Sequence, residues 1–277
     1  MSYITFSLLG KSADLGSQIQ QFSSMYAVAK ETGKKIAFPE SVLNLGWGIK
    51  FPNLIDVDIE VMPDNFFNDF VNLAPIDGVL VDHRVFDLDK NTNYNFTNLF
   101  HLYHYWYPKY KDDIFNLKWK DPYYNSAKEL FESIKQPGKE LVSIHVRRGD
   151  YLNHDHFCKL DTDYYGKAVE QFIPEIEKYH FVVFSNDIEW CKQNLIEGEM
   201  VTFMNQGTDY IDMILMSMCD HNIIANSSFS WWAAFRNINE SKKVLCPENY
   251  IKSYSPFSFM NKNWYPNTWT SIYNSDK

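Results

Sequence analysis

The chain has 277 residues, of which 45% are hydrophobic and 22% are charged. This length and composition predict a globular protein with one large α/β domain or two smaller ones, each able to bury a core. The formal net charge of −9 argues against binding to nucleic acid, which requires a basic surface, but it is compatible with a local basic pocket for an anionic substrate.

The cysteines and the apolar segments indicate the cellular compartment. The four cysteines have no CxxC spacing and form no dense framework, which favours a reduced protein of the cytoplasm. The segment 1–10 lacks the basic start of a signal peptide, and no stretch approaches the ~20 apolar residues of a membrane span. We therefore expect a cytoplasmic protein without a transmembrane segment, and peripheral association with the inner face of the membrane stays open.

The first half of the chain predicts one βαβ unit. An apolar stripe between residues 19 and 29 indicates a helix, and Gly33 is expected to end it. The predicted elements are, in chain order, a strand at 4–9, a helix at 19–29, a strand at 35–38 and, within a polar stretch, a short strand at 78–81.

The second half of the chain alternates strands and helices more regularly. The predicted strands are 141–146, 181–184, 200–203, 222–225 and 243–245. The predicted helices are 164–179, 187–195, 209–218 and 230–237. Apolar strands separated by amphipathic helices predict a parallel, doubly wound sheet. The linker Pro137-Gly138 is the expected boundary between an N-terminal α/β domain, 1–138, and a C-terminal Rossmann-like domain, 139–277. A ligand is then expected in a cleft between them, at the carboxyl ends of the strands.

Two arginines follow the predicted strand 141–146 directly. Because side chains alternate along a strand, Arg147 and Arg148 are expected to point to opposite sides, one towards the cleft and one held by a neighbour such as Asp150. A guanidinium fork at a strand end suits phosphate oxygens. The alternative is that both arginines form ion pairs with a purely structural role.

A second polar segment follows the predicted strand 222–225. Asn226, Ser227 and Ser228 lead at once into a helix, and amides at a helix start with hydroxyls beside them form a site for an anion. The alternative is plain capping of the helix by Ser227 or Ser228.

Four segments together resemble the bacterial α-1,2-fucosyltransferases of glycosyltransferase family 11. They are the HxRRxD segment at 145–150, Phe-Ser-Asn-Asp at 184–187, Ala-Asn-Ser-Ser-Phe-Ser-Trp-Trp-Ala-Ala at 225–234, and Asn-Trp-Tyr-Pro-Asn-Thr-Trp at 263–269. The resemblance implies a GT-B-like α/β fold with two Rossmann-like domains, the first facing the acceptor and the second binding the donor, with the C-terminal tail packing back.

The resemblance also implies the reaction. The donor would be GDP-β-L-fucose, the acceptor an oligosaccharide or a lipid-linked glycan, and the product an α-1,2 linkage formed with inversion in surface polysaccharide synthesis. No metal or other cofactor is implied. Three Asp-x-Asp triplets, at 56–58, 87–89 and 161–163, have the pattern that holds Mn²⁺ or Mg²⁺ in the other large glycosyltransferase fold, but none clearly follows a strand in a nucleotide-binding half.

Site residues carry over from the family by position. Arg147 would bind the pyrophosphate and neutralise the departing GDP, with His145 beside the nucleotide. Asp212, fifteen residues before Ser227, would read guanine because a carboxylate accepts from both N1–H and N2–H; the alternative is a solvated residue on a helix. The remaining predicted donor contacts are Asn226, Ser227, Ser228, Phe229, Gly16 and Gln18.

The catalytic base is expected among the carboxylates after Arg147. Asp150 is nearest, but it is better explained as the partner that holds Arg148. Asp155 lies eight residues after Arg147, the offset of a catalytic glutamate in the related α-1,6 group. The alternative is an exposed loop aspartate, in which case Asp14 is the next candidate.

The loop 13–21 departs from the family pattern Gly-Gly-x-Gly-Asn-Gln-x-Phe-Gln. Gly16, Gln18 and Gln21 match it, whereas Ser17 and Gln20 replace Asn and Phe. Three alternatives to fucosyl transfer therefore stay open: a transferase for another GDP-sugar, a GDP-sugar-binding protein without turnover, and a sugar-nucleotide epimerase or hydrolase.

Overall fold

The structure is a computed structural model, and its contacts divide the chain into two compact units, Met1–Lys120 and Asp121–Lys277. Both units are α/β. The structure describes residues 1–9, 14–44, 51–74, 76, 79–97, 102–195, 197–204 and 207–275.

The first unit is built on a five-stranded sheet. Its strands are β1 (Tyr3–Thr5), β2 (Lys35–Pro39), β3 (Glu60–Met62), β4 (Val71–Leu73) and β5 (Tyr94–Phe96). They pair in the order β3-β2-β1-β5-β4, and every pair is parallel. The helices are α1 (Leu15–Thr32), α2 (Glu40–Asn44), α3 (Phe51–Leu54) and α4 (Lys111–Phe115).

Helix α1 confirms the predicted βαβ unit. Asp14 caps its start by accepting the N–H of Ser17 at 3.3 Å, and Gly33 ends it with a φ of 69°, a conformation that favours glycine. The predicted strand 4–9 is shorter than expected, because the chain turns after Thr5. The strand predicted at 78–81 is wrong over 79–81, and Gly78 lies outside the described residues.

The second unit is built on a six-stranded sheet. Its strands are β6 (Glu140–Val146), β7 (Tyr179–Ser185), β8 (Val201–Phe203), β9 (His221–Ile223), β10 (Val244–Pro247) and β11 (Thr270–Ile272). All pairs are parallel. The helices are α5 (Asp121–Ile134), α6 (Thr162–Glu170), α7 (Ile188–Asn194), α8 (Asp209–Met218) and α9 (Ser228–Arg236).

The strand order of the second unit locates its ligand site. The order is β8-β7-β6-β9-β10-β11, so the chain builds outwards from β6 to β8 and then returns to place β9 on the other side of β6. This is the strand order of dinucleotide-binding sheets, in which ligands bind outside the carboxyl ends of the two central strands. Here those strands are β6 and β9, which confirms the parallel doubly wound sheet.

The helix predicted at 164–179 is two shorter elements. α6 ends at Glu170, and a 3₁₀ turn follows over Ile173–Lys178 with Pro174 in its first positions. Proline cannot donate a backbone hydrogen bond and clashes with the preceding turn, so it stops the α-helix.

The boundary between the two units differs from the predicted one. Helix α5 precedes the linker Pro137-Gly138, yet it packs on α8, where the rings of Tyr123 and Tyr210 lie 5.2 Å apart. The contacts therefore group α5 with the second unit, which begins at Asp121 rather than at residue 139. The cleft and the separate roles of the two domains stay predictions.

The C-terminal segment belongs to the second unit. β11 pairs with β10, and the indole nitrogen of Trp231 on α9 donates to the backbone oxygen of Trp264 at 3.1 Å. Within the described part of the chain, no helix combines the length and the apolar character that crossing a membrane requires.

Candidate active site

Arg148 is held firmly after the end of β6. Its backbone N–H donates to Oδ1 of Asn186 at 2.9 Å, and its Nε donates to Oδ2 of Asp187 at 3.0 Å. Its guanidinium also lies over the ring of Trp190, 3.9 Å from the ring centre. Asn186 and Asp187 come from the connection between β7 and α7, and Trp190 comes from the first turn of α7, so Arg148 has a structural role.

Arg147 keeps part of its hydrogen-bonding capacity. Its terminal nitrogen lies 2.8 Å from Oδ1 of Asp150, and its guanidinium lies 5.3 Å from the ring centre of Tyr151. Its Nε is buried and makes no hydrogen bond to the described residues. A buried donor without a partner costs free energy unless a ligand accepts from it. Of the two arginines, Arg147 is therefore the one suited to an anion.

Asp150 pairs with Arg147, so the prediction that it holds Arg148 is wrong. The 3₁₀ turn Gly149–Asn153 folds Asp150 back to within reach of the arginine three residues earlier. Arg148 is instead taken by Asp187, which is distant in sequence.

Gly149 explains why two of the motif segments occur together. Its φ is 55°, and a Cβ at this position would lie 2.6 Å from the side-chain nitrogen of Asn186. The same Asn186 accepts from the N–H of Arg148. Because residue 149 is a glycine, the side chain of Asn186 can come close enough to accept the backbone N–H of Arg148.

His145 is the second-last residue of β6 and is 5% exposed. Burial, and to a smaller extent the charge of Arg147, lowers its pKa to about 3, so the imidazole is neutral at physiological pH. Its ring centre lies 5.2 Å from that of Phe229, and its buried Nδ1 has no hydrogen-bond partner among the residues that the structure describes. The structure therefore brings together His145 and Phe229, both predicted donor contacts, beside Arg147.

The connection from β9 to α9 has the predicted form. Ser227 caps the helix, because its Oγ accepts the N–H of Phe229 at 3.3 Å, and Ser228 is the first helical residue. Capping by Ser227 is therefore confirmed. It is compatible with an anion site, since the other amides of the first turn still point out of the helix end.

Asn226 joins three loops at the carboxyl edge of the sheet. It is 1% exposed, and its side-chain nitrogen donates to the backbone oxygens of Cys158 at 2.8 Å and of Tyr250 at 2.9 Å. These residues follow β6 and β10 respectively, so the amide group holds both loops to the end of β9. Its Oδ1 is buried and has no hydrogen-bond partner within the described part of the chain, and its predicted contact with the donor stays a prediction.

Replacing Asn226 by alanine should lower the free energy of unfolding by about 1–3 kcal/mol, because the carbonyls of Cys158 and Tyr250 lose a buried donor. Urea unfolding of the variant and the wild type measures this difference. An unchanged unfolding midpoint would show that the amide group does not hold the loops.

Asp212 lies in the first turn of α8, which follows β8 and so begins at the same edge of the sheet. Its Oδ1 is buried and has no hydrogen-bond partner among the described residues, whereas the residue as a whole is half-buried, so the alternative of a solvated residue stays open. Burial, and then the charge of Asp209, raises its pKa to about 7. A Cβ on Gly207 would lie 1.8 Å from Oδ1, so this position requires a glycine as long as Asp212 keeps its place, which the sequence analysis missed. A glycine just before a helix start was the only signal.

If Asp212 reads guanine, as the family resemblance implies, binding of GDP should weaken as the pH falls, because the contact needs the carboxylate form of Asp212. With a pKa of about 7 in the free protein, binding below that pH requires loss of a proton, and the affinity should fall towards about tenfold per pH unit. Calorimetric titrations between about pH 8 and pH 6 measure this slope. The Asp212→Asn variant should bind GDP more weakly, and its affinity should lose the part of the pH dependence that the carboxylate causes. Any pH dependence from titration of the GDP phosphate should remain in the variant, so the two causes can be told apart. If the affinity of the variant for GDP depends on pH as strongly as that of the wild type, the proposed contact of Asp212 with guanine is contradicted.

Asp155 lies in the loop after the turn Gly149–Asn153. Its side chain is exposed, and its backbone oxygen accepts the hydroxyl of Tyr254 at 3.2 Å. The carboxylate is therefore accessible to a substrate, and the alternative of an exposed loop aspartate also stays open.

Gly16 and Gln18 lie in the first unit, both buried on α1. The side-chain oxygen of Gln18 accepts the backbone N–H of Phe51 at 3.3 Å, which ties α1 to the start of α3. Their predicted contact with the donor stays a prediction, and Ala13 of the same loop lies outside the described residues.

The sequence profile of Glycosyl transferase family 11 matches residues 8–273. The chain belongs to this family. It is 36% identical over 143 residues to the O-antigen biosynthesis glycosyltransferase WbnK of Escherichia coli, a match that covers 49% of this chain and 47% of that protein. It is 39% identical over 117 residues to the alpha-1,2-colitosyltransferase of Escherichia coli, covering 39% of this chain and 40% of that protein. The chain thus spans less than half the length of these relatives.

The fold is that of known fucosyltransferase structures. POFUT1 in complex with GDP superposes with a TM-score of 0.58 at 13% identity, covering 88% of this chain and 98% of that one. The likeness confirms the predicted GT-B-like α/β fold with two parallel sheets. Family membership likewise confirms the resemblance inferred from the four motif segments.

Proposed function

We propose that this family 11 protein transfers a sugar, with L-fucose as the expected one, from a GDP-sugar to a hydroxyl of a glycan. The observation that carries the proposal is the pair of groups suited to an anion at the carboxyl ends of β6 and β9. There Arg147 has a buried Nε with no hydrogen-bond partner among the described residues, and α9 begins beside the end of β9. Such a site fits a diphosphate.

The residues of the second unit then have complementary roles. Arg147 stabilises the negative charge that develops on GDP as the bond between the anomeric carbon and the phosphate oxygen breaks. Neutral His145 contributes hydrogen bonds without adding charge, and Asp212 accepts from guanine. The acceptor hydroxyl attacks the anomeric carbon from the opposite side and inverts it, while its proton passes to the base, for which Asp155 is our candidate.

The names of the relatives support the transfer of L-fucose or a similar sugar. One is named for O-antigen biosynthesis and another for transfer of colitose in an α-1,2 linkage. We therefore place the reaction in surface polysaccharide synthesis in the cytoplasm, at the inner face of the membrane where a lipid-linked acceptor would lie. A GDP-linked sugar other than fucose is the second candidate.

Thermal shift with a panel of nucleotide sugars tests the donor. A ligand that binds only the native state raises Tm, so GDP and GDP-fucose should raise it, whereas UDP-sugars should not. Asp212→Asn should abolish the preference for guanine. A rise with UDP-sugars and none with GDP would overturn the donor assignment.

We expect EDTA to leave the activity intact, because Arg147 and the start of α9 neutralise the diphosphate. Of the Asp-x-Asp triplets, the one at 161–163 has structural partners: Asp161 caps α6 and Asp163 pairs with Lys167. The measurement is the rate of transfer before and after chelation. Activity lost in EDTA and restored by Mn²⁺ would contradict this prediction.

A further inference from the structure

A cavity of about 790 Å³ lies in the second unit, in the segment that connects β10 to β11. This volume is within the range of roughly 300–1,000 Å³ that is usual for small-molecule sites. The residues that matter for its chemistry are Glu248, Asn249, Phe259, Tyr265, Asn267 and Trp269. None of them belongs to the predicted donor site.

The floor of the cavity is aromatic and well supported. The rings of Tyr265 and Trp269 have centres 6.1 Å apart and are inclined by 36°. Trp269 also packs against Trp231 of α9, with ring centres 5.3 Å apart. These two rings therefore need little rearrangement to receive a ligand.

The loop around the cavity is fixed by a second set of contacts. The side-chain oxygen of Asn261 accepts the backbone N–H groups of Tyr250 at 3.1 Å and of Ile251 at 2.8 Å. The rings of Tyr250 and Trp264 lie 4.1 Å apart. The loop around the cavity is therefore held in place by hydrogen bonds and by ring packing.

The lining combines aromatic faces with amide and carboxylate groups. Sugar rings present apolar C–H faces and polar hydroxyl edges, and aromatic rings with neighbouring amides match that division. Among the described residues of the lining, Glu248 is the one acidic residue, Lys262 is the one basic residue, and none is an arginine. This balance suits a neutral ligand and not a phosphate.

The position of the cavity relates it to the transfer reaction. Glu248, at one end of the cavity, follows the end of β10, and β10 is two strands from β6 in the sheet, whereas Trp269 precedes β11. With neighbouring strands about 4.8 Å apart, the ends of β10 and β6 are separated by ~10 Å. A glycan of a few sugar units can span this distance.

We propose that the cavity binds neutral sugar units of the glycan acceptor beyond the unit that is modified. The proposal rests on the proposed function and deepens it, because it assigns to the second unit a share in the choice of acceptor. An acceptor of several sugars then gains affinity that a single sugar lacks.

The test compares acceptors of different length with variants of the cavity rim. Phe259 is 36% exposed and Asn267 is exposed, so Phe259→Ala combined with Asn267→Ala should leave the fold intact. Tyr273→Ala is the matched control, since this ring is 61% exposed in the same tail but does not line the cavity. The KM values for a monosaccharide acceptor, a tetrasaccharide acceptor and GDP-fucose are measured for each protein.

In the double variant, the KM for the tetrasaccharide should rise about tenfold, because stacking and hydrogen bonding to the distal sugars are lost. The KM values for the monosaccharide and for GDP-fucose should not change, and the control should match the wild type. An unchanged tetrasaccharide KM, a similar rise for the monosaccharide, or the same rise in the control would overturn the proposal.

Saturation-transfer NMR with the tetrasaccharide and donor-free protein separates this proposal from the proposed function. If the wild type transfers no sugar, the proposed function fails, but the NMR experiment still tests the cavity. Saturation transfer to the distal sugars that is lost in the double variant supports the site, and transfer that persists overturns it.

Discussion

Replacing Arg147 by lysine is expected to lower kcat by about 10²–10³, nearly as much as replacing it by alanine. The guanidinium reaches Asp150 with a terminal nitrogen and still has a buried Nε with no hydrogen-bond partner in the described part of the chain, so it can hold a phosphate in a fixed geometry. An ammonium group keeps the charge but loses the planar fork. Steady-state kinetics with saturating donor and acceptor measure the change.

Arg148→Lys is the control for this experiment, because the two arginines are adjacent and differ in their partners. Arg148 lies against Asp187 and Trp190, so its replacement should mainly lower Tm. Turnover close to that of the wild type in Arg147→Lys would remove Arg147 from the chemistry. A greater loss of kcat in Arg148→Lys than in Arg147→Lys would exchange the two roles.

Replacing Asp155 by asparagine is expected to lower kcat by about 10²–10⁴ while the affinity for GDP stays nearly unchanged. Asparagine has the same shape but cannot take the proton of the acceptor hydroxyl. The exposed side chain and the contact of its backbone oxygen with Tyr254 leave the carboxylate accessible. Single-turnover rates and calorimetric titration with GDP separate the two effects.

Asp163→Asn is the matched control for Asp155, since Asp163 is an exposed aspartate that pairs with Lys167 on α6. It should retain the activity of the wild type. Full activity in Asp155→Asn would assign the base elsewhere, and Asp14, the cap of α1, would be tested next.

Strands β6, β7, β9 and β10 of the second unit could be predicted because they are buried on both faces. Neighbouring residues such as Leu141 and Val142 have almost no exposed surface. Strand β11 was not predicted, because two of its three residues are exposed. The first unit gives a weaker signal: its edge strands β3 and β4 have three residues each, and Val71 is 49% exposed. Helix α5 was not predicted, although Ala127, Leu130 and Ile134 are spaced as an apolar helical stripe.

The residue types of the site could be predicted, but not their partners. A strand that ends in two arginines indicates an anion site, yet only the 3₁₀ turn after Gly149 determines that Asp150 pairs with Arg147. Asn226 contacts backbone oxygens 68 and 24 residues away, and no local pattern contains that information. Such contacts depend on how the loops after different strands meet at one edge of the sheet.

The release of GDP from GDP-fucose, with and without a galactoside acceptor, tests the proposed function most directly. We expect release to depend on the acceptor and to equal the amount of fucosylated product, whose α-1,2 linkage NMR would establish. Release at the same rate without acceptor would indicate a hydrolase. Binding of GDP-fucose without release in the presence of any acceptor would indicate a protein without turnover, and either result would contradict fucosyl transfer.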